Sequence, residues 1–403
     1  MLAALLPIRD QRDKVVAYEL SAYPLSDTVS ASSNEDAARH TLELLSTLPL
    51  PRLANGRPVH VPVTPGLVRD GALARFASVD AVFILATPAL DDYATSRAVE
   101  RLIGRGFRFG LDGFPESRPL PSAMTGATVA LDAARVAPLA FASRIQLLLQ
   151  AGLKPIARGV DDRATRERVM GVGVKLYSGR ILPRASTRDA DAESGAKRAV
   201  TMLAAFSDGR PPDTSFDTFV RNESRLAAEI LHIMRSATMS VRGPRTVEHA
   251  LTVLGRDAIL DRMTALVARL VSECAGDPEL ALIALRRARM CERLAAALER
   301  PPHPRLRRLA GLVSVLDAAF GVPASSLSLH VALPLVLADV AVERLQPLGQ
   351  LVDIVEAYDN GWWPDMRARC RVVGVAPTVV REAYFDAWRD AREELGASRA
   401  GEG

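Results

Sequence analysis

Up to about Pro183 the chain alternates short, nearly uninterrupted apolar runs with stretches of helical periodicity, and beyond residue 215 only the helical period remains. The runs are Val59 to Val63, Ala81 to Leu85, Phe107 to Leu111, Thr128 to Leu131, Pro155 to Ile156 and Val174 to Leu176. Strands spaced by helix-length segments read as βα repeats and a parallel sheet. Strands without polar alternation imply burial on both faces, as in an α/β barrel. Between them, Ser96 to Arg105 carries Val99, Leu102 and Ile103 on one side, as an amphipathic crossover helix does.

Residues 184 to 196 lack any large apolar side chain and read as a linker, and Ser207 to Ser215 holds Gly209, Pro211 and Pro212. After that break, apolar stripes recur at helical spacing. They run through Phe216, Phe219, Val220, Leu226, Ile230 and Met234, then Ile259, Met263, Leu266 and Leu270. Two more follow, Leu309, Leu312, Val313 and Leu316, and Leu348, Leu351, Val355 and Tyr358. Gly321-Val-Pro323 and Gly361-Trp-Trp-Pro364 supply helix stop signals. The expected organisation is a barrel over 1–183, a linker and connecting helix over 184–215, an all-α domain over 216–396 and a disordered tail over 397–403. At 403 residues the chain is long enough for such a two-domain arrangement.

Composition excludes more than it identifies. With 48% hydrophobic and 24% charged residues, a wholly disordered chain is excluded. No apolar run approaches the ~18 residues of a membrane span, and the opening Met-Leu-Ala-Ala-Leu-Leu-Pro is too short for a signal-peptide core. Cys274, Cys291 and Cys370 are too few and too far apart for a disulfide framework or a CxxC clamp, so a reducing, cytoplasmic setting is expected. Only Lys14, Lys154, Lys175 and Lys197 are lysines among 51 basic residues, which reads as codon bias toward arginine. The stretch Arg286 to Arg308 holds eight arginines but no interleaved aromatic on which a base could stack, so a solvated helix face is expected and nucleic acid is not.

Seven segments in order carry a resemblance. Val15-Val-Ala-Tyr-Glu-Leu20, Val59-His-Val-Pro-Val-Thr64, Ala81-Val-Phe-Ile-Leu85, Arg108-Phe-Gly-Leu-Asp-Gly-Phe114, Val129-Ala-Leu-Asp132, Pro155-Ile-Ala-Arg-Gly-Val-Asp161 and Gly173 to Pro183 resemble EAL-type cyclic-di-GMP phosphodiesterase domains. The implied fold is a shortened TIM-like barrel. In the C-terminal half, Leu231 to Ala237, Thr246 to Gly255, Arg287 to Ala295, Leu309 to Asp317 and Ile354 to Trp362 resemble an HDOD domain, the helical relative of HD phosphohydrolases that lacks their metal site.

Two-metal phosphodiester cleavage needs a cage of carboxylates and an amide around a pair of divalent ions. By the resemblance, Glu19, Asp112 and Asp132 keep acids at ligand positions, and Asp161 replaces a final Glu. Pro62 stands for the metal-binding Asn, and Ile84 or Leu85 for the next glutamate. Gly113 stands for the second Asp, Ala130 for the Lys that orients water, Arg158 for a Glu and Ser178 for a Gln. The barrel is therefore expected to be catalytically dead, with Glu19, Asp112, Asp132 and Asp161 as a remnant and no metal or other cofactor. No His-Asp dipeptide exists for an HD centre, and the corresponding stretch reads Gly311-Leu-Val-Ser-Val. His232 and His249 are expected to be structural, His303 falls in a Pro-rich turn, and His40 and Glu43 have no convergent partner.

The resulting expectation is a cytoplasmic bacterial signalling protein that acts as a scaffold for other signalling proteins, with control of motility, biofilm or stress as the family-level setting. Two alternatives stay open: a cyclic-di-GMP receptor, with Arg158 and Arg180 meeting its phosphates, and a weak phosphodiesterase. A homodimer is compatible with either, and no membrane association is expected.

Overall fold

The computed structural model describes residues 1–24, 42, 46, 50–76, 80–115, 120, 122–179, 190–207, 247–299, 302, 304–333, 335–344 and 347–399. The chain divides into two compact units, Met1–Ile181 with Asp359–Trp363, and Leu182–Tyr358 with Pro364–Gly403.

The first unit is a closed eight-stranded barrel in sequential order: β1 (Leu2–Asp10), β2 (Val15–Tyr23), β3 (Val59–Val63), β4 (Ala81–Ala86), β5 (Arg108–Asp112), β6 (Thr128–Asp132), β7 (Lys154–Arg158) and β8 (Leu176–Tyr177). The expected apolar runs fall on strands β3 to β7, and the last, Val174 to Leu176, meets β8 at Leu176. The sheet is not wholly parallel, however. β1 runs antiparallel to both β2 and β8, and every other neighbouring pair is parallel. β1 is a strand that sequence reading passed over, because Pro7 interrupts its apolar run. In the sheet Pro7 lies opposite Tyr18 in a hairpin whose register shifts between Ile8 and Arg9. The hairpin turns through Asp13, held at φ 62. The motif strand that carries Glu19 is thus the second strand of the barrel.

Alternation sorts the side chains of each strand. Ile8, Ala17, Ala130 and Ile156 pack inside the barrel. Glu19 shares the inward face of β2 with Ala17, and register pairs it with His60. Outside run the helices α1 (Tyr93–Gly104), α2 (Pro138–Gln150) and α3 (Arg163–Gly171). Asp92 caps α1 by accepting from the backbone N–H of Ala94 and Thr95, and Ala98, Val99 and Leu102 form its buried stripe. Asp162 caps α3 through the N–H of Thr165.

The second unit is helical. Its main elements are α4 (Ala190–Ser207), α5 (Val247–Ala275), α6 (Pro278–Ala296), α7 (Pro304–Val313), α8 (Pro347–Asp359), α9 (Trp363–Val373) and α10 (Pro377–Arg399), with short turns of helix at Leu316–Phe320, Leu327–His330 and Leu335–Val342. α6 packs against α5, α7 and α10. Its core includes Trp388, Tyr358, Tyr384 and Phe320, all fully buried.

Three expectations need correction. The connecting helix expected within 184–215 begins at Ala190, inside the stretch 184–196 read as linker, because alanine is the best helix former and a stripe of Ala196, Ala199, Val200, Leu203 and Ala204 is buried. The C-terminal helix continues through Arg399, past the expected start of a tail at 397. The arginine stretch is not a solvated face. Arg286 and Arg287 are buried, and Arg286 lies 4.2 Å from the centroid of the Trp388 ring. Arg289 pairs with Glu394 and Glu292, Arg293 with Asp390 at 2.5 Å, and Arg308 with Asp261 and Glu292.

The stripes on α5, α7 and α8 bury Met263, Leu266, Leu309, Leu312, Val313, Leu348, Leu351, Val355 and Tyr358. The stripe from Phe216 to Met234, with His232, His40, Glu43 and His303, lies outside the described residues. His249 lies on α5. All three cysteines are buried, and none is in a disulfide. Among the described residues, no helix is long and apolar enough to cross a membrane.

Candidate functional site: the mouth of the barrel

The C-terminal ends of the parallel strands bring Glu19, Asp112, Asp132 and Arg158 to one end of the barrel. Arg158 closes β7, next to Asp132 in strand register, and Asp112 closes β5 beside Ala130. The Arg158 guanidinium reaches across the mouth. Its Nε donates to Glu19 Oε2 at 3.0 Å, its terminal nitrogens lie 2.7 Å from Glu19 Oε1 and donate to Asp112 Oδ1 at 2.7 Å. All three guanidinium nitrogens are therefore aimed at carboxylate oxygens from two other strands, a fork geometry that arginine supplies and lysine cannot.

Exposure grades through this cluster. The Glu19 and Arg158 side chains are 17% and 23% exposed, whereas Asp112 is 53% exposed and faces solvent. Burial pushes the Glu19 carboxyl above its usual range, and Arg158 draws it back. Burial also works against the Arg158 charge, but Glu19 and Asp112 more than offset it, so its pKa is raised and it stays a cation.

Beside Glu19, His60 is only 6% exposed. Burial pushes its imidazole down to about 4, with the Arg158 and Arg108 charges acting in the same sense. The ring is therefore neutral at pH 7. His60 is a site residue that sequence reading missed, although the alternation of β3 places it two residues from Pro62 on the same face.

The remaining expected positions separate. Asp132 turns to its own loop, where Oδ1 accepts from the backbone N–H of Ala134 at 2.9 Å and of Arg135 at 3.2 Å, and Oδ2 pairs with Arg135. Asp161 is exposed beyond β7. Pro62 is exposed and offers no ligand, while Ile84, its neighbour in register, and Leu85 are buried apolar residues. Ala130 lies in the apolar floor. Gly113 has φ 99, a conformation that a side chain resists, and Thr87 donates to its carbonyl at 2.6 Å. Ser178 is buried, and its backbone bonds Ala157 and Val160. Arg180 lies outside the described residues.

These groups do not fit a pair of divalent ions. Of the four acids expected there, only Glu19 and Asp112 converge, and a cation already lies between them. Among the described residues, no group of three or more His, Cys, Asp or Glu is arranged to hold a metal.

No protein-family model matches the chain. A curated protein, the cyclic di-GMP phosphodiesterase CdgJ of Vibrio cholerae serotype O1, is 29% identical over 196 residues, covering 47% of this chain and 45% of that protein. The chain thus matches less than half the length of that relative. Similar solved structures include the EAL domain of Mycobacterium smegmatis DcpA, at 18% identity and TM-score 0.35 over 44% of this chain and 89% of that one. Another is the FimX EAL domain from Pseudomonas aeruginosa bound to c-di-GMP, at 13% identity and TM-score 0.37 over 44% and 87%. At such TM-scores the two structures carry no argument.

Proposed function

We propose that this chain is a non-catalytic regulator in cyclic-di-GMP-related signalling, in which a degenerate EAL-like barrel and an HDOD-like helical domain serve as surfaces for other signalling proteins. The observation that carries the reading is Arg158 bound to Glu19 and Asp112 at 2.7–3.0 Å. Hydrolysis at such a centre needs acids free to hold cations and a base system to activate water, and a base alone is worth ~10²–10⁴ in rate. Here the two convergent acids are engaged by a side chain of the protein itself, and Pro62 and Ala130 stand where a ligand and a water-orienting lysine are expected.

The same cluster weighs against a receptor role. A cyclic dinucleotide brings two negative phosphates, and the Arg158 donors that could meet them are spent on two carboxylates. A phosphate approaching them meets Glu19 and Asp112, one of which is half-exposed. The scaffold reading is favoured on that account.

Calorimetry of the full chain with cyclic-di-GMP, with and without Mn²⁺, tests the proposal. The expected result is no heat of binding up to high micromolar ligand. Micromolar binding without turnover establishes the receptor reading instead, and cleavage to the linear dinucleotide establishes a phosphodiesterase.

A further inference from the structure

We infer that Arg158 is a built-in counter-cation, a tethered guanidinium that fills the place of divalent metal in the barrel mouth and keeps such metal out. The inference deepens the non-catalytic reading and rests on it. Glu19 and Asp112 come from β2 and β5, and two carboxylates that share one partner, the first of them only 17% exposed, favour a cation between them. The guanidinium supplies one with matched geometry, two bonds to Glu19 and one to Asp112. A hard divalent ion uses the same oxygens, because Mg²⁺ and Mn²⁺ are held by one or two carboxylates and otherwise by water. The two occupants therefore exclude each other. The tethered cation is at an advantage because its binding costs no translational freedom.

The position of Arg158 sharpens the point. It ends β7 next to Asp132, which is turned away to the backbone of its own loop and to Arg135. An acid at position 158 would face Glu19 and Asp112 from the end of β7 and complete a three-carboxylate set. Arg158 thus excludes metal in addition to the effect of the ligands that Pro62 and Ile84 do not supply.

The test is Mn²⁺ uptake by the full chain, read by electron paramagnetic resonance of free Mn²⁺ and by thermal unfolding, without any dinucleotide. Wild type is expected to leave millimolar Mn²⁺ free and to melt at an unchanged temperature. Arg158→Glu is expected to bind Mn²⁺ at least tenfold more tightly than wild type, with a melting temperature raised by about 5 °C at saturation. Should Arg158→Glu fail to fold without metal, recovery of folding on adding Mn²⁺ supports the inference. Arg158→Gln, which removes the cation without adding an acid, must then show weaker uptake in the same direction.

The inference is overturned if wild type binds Mn²⁺ and Glu19→Gln abolishes that binding. It is equally overturned if neither variant takes up more Mn²⁺ than wild type. Cyclic-di-GMP binding by wild type without metal defeats the scaffold reading but leaves the metal result intact, so the two failures are distinguishable.

Discussion

Each unit of this protein holds an arginine clamped between polar groups, and the two differ in burial: Arg287 with Ser314 is sealed from solvent, whereas the exposure of Arg158 and its two carboxylates runs from 17% to 53%. At the barrel mouth, Arg158 serves two carboxylates, and one of them is 53% exposed. In the helical unit, the Arg287 side chain is only 6% exposed and donates to the Ser314 hydroxyl at 3.1 Å and to Glu356 at 3.2 Å. Glu356 also takes Arg344, and Arg344 and Arg369 share Asp353.

The sealed cluster is a packing device. Ser314 in turn donates to the Gly311 carbonyl at 2.6 Å, and α6 and α7 approach so closely that a Cβ on Gly311 would lie 2.2 Å from the Arg287 carbonyl oxygen. The open cluster is left with more negative than positive charge and an exposed edge. Guanidinium chemistry alone therefore says little. Burial decides whether the arginine fastens the fold or stays within reach of solvent.

Four substitutions can break or sharpen this contrast. The largest effect belongs to the sealed cluster. Arg287→Ala removes the buried donor of Ser314 and one of the two arginines that Glu356 holds, and is expected to cost about 3 kcal/mol in urea unfolding. That loss should be nearly independent of salt. A cost under about 1 kcal/mol would place Arg287 in the same class as a surface ion pair.

Next comes the pH dependence at His60. Its folded pKa of about 4 lies below its ordinary 6.5. Its contribution is therefore fully present above pH 6.5 and is lost as pH falls toward 4, by on the order of 3 kcal/mol. Glu19, raised by burial, acts in the opposite sense, its contribution being lost as pH rises through its folded pKa. Measuring stability from pH 4 to 7 for wild type and His60→Gln separates the two, and the variant should lose the His60 slope.

Arg158→Ala is expected to cost less, about 1–2 kcal/mol, and to depend on salt because the mouth is partly screened. The smallest effect is that of Asp112→Asn, under about 1 kcal/mol given its exposure. If Asp112→Asn proved as costly as Arg287→Ala, the distinction between an open and a sealed cluster would fail.

Most of the barrel was legible because parallel strands buried on both faces leave continuous apolar runs, and β3 to β7 follow them. β1 was not, since its partner is set by a hairpin and its run is broken by Pro7. The helical stripes of α5, α7 and α8 were legible for the usual reason that one face is buried. The Arg286 to Arg308 stretch was misread because its acids, Asp390 and Glu394, lie about a hundred residues away, where no local window finds them.

At the mouth, sequence reading placed Arg158 where an acid was expected. What it could not supply was direction. Arg158 turns onto Glu19, 139 residues earlier in the chain, while Asp132 turns into its own loop and Asp161 points to solvent. A remnant described as four acids is, in three dimensions, two acids and a cation.

The most direct test of this account is chromatographic assay of the full chain with cyclic-di-GMP and millimolar Mn²⁺ or Mg²⁺. Arg158 held between Glu19 and Asp112 predicts that the cyclic dinucleotide is recovered intact after prolonged incubation. Metal-dependent appearance of the linear dinucleotide, abolished in Glu19→Gln, would contradict it.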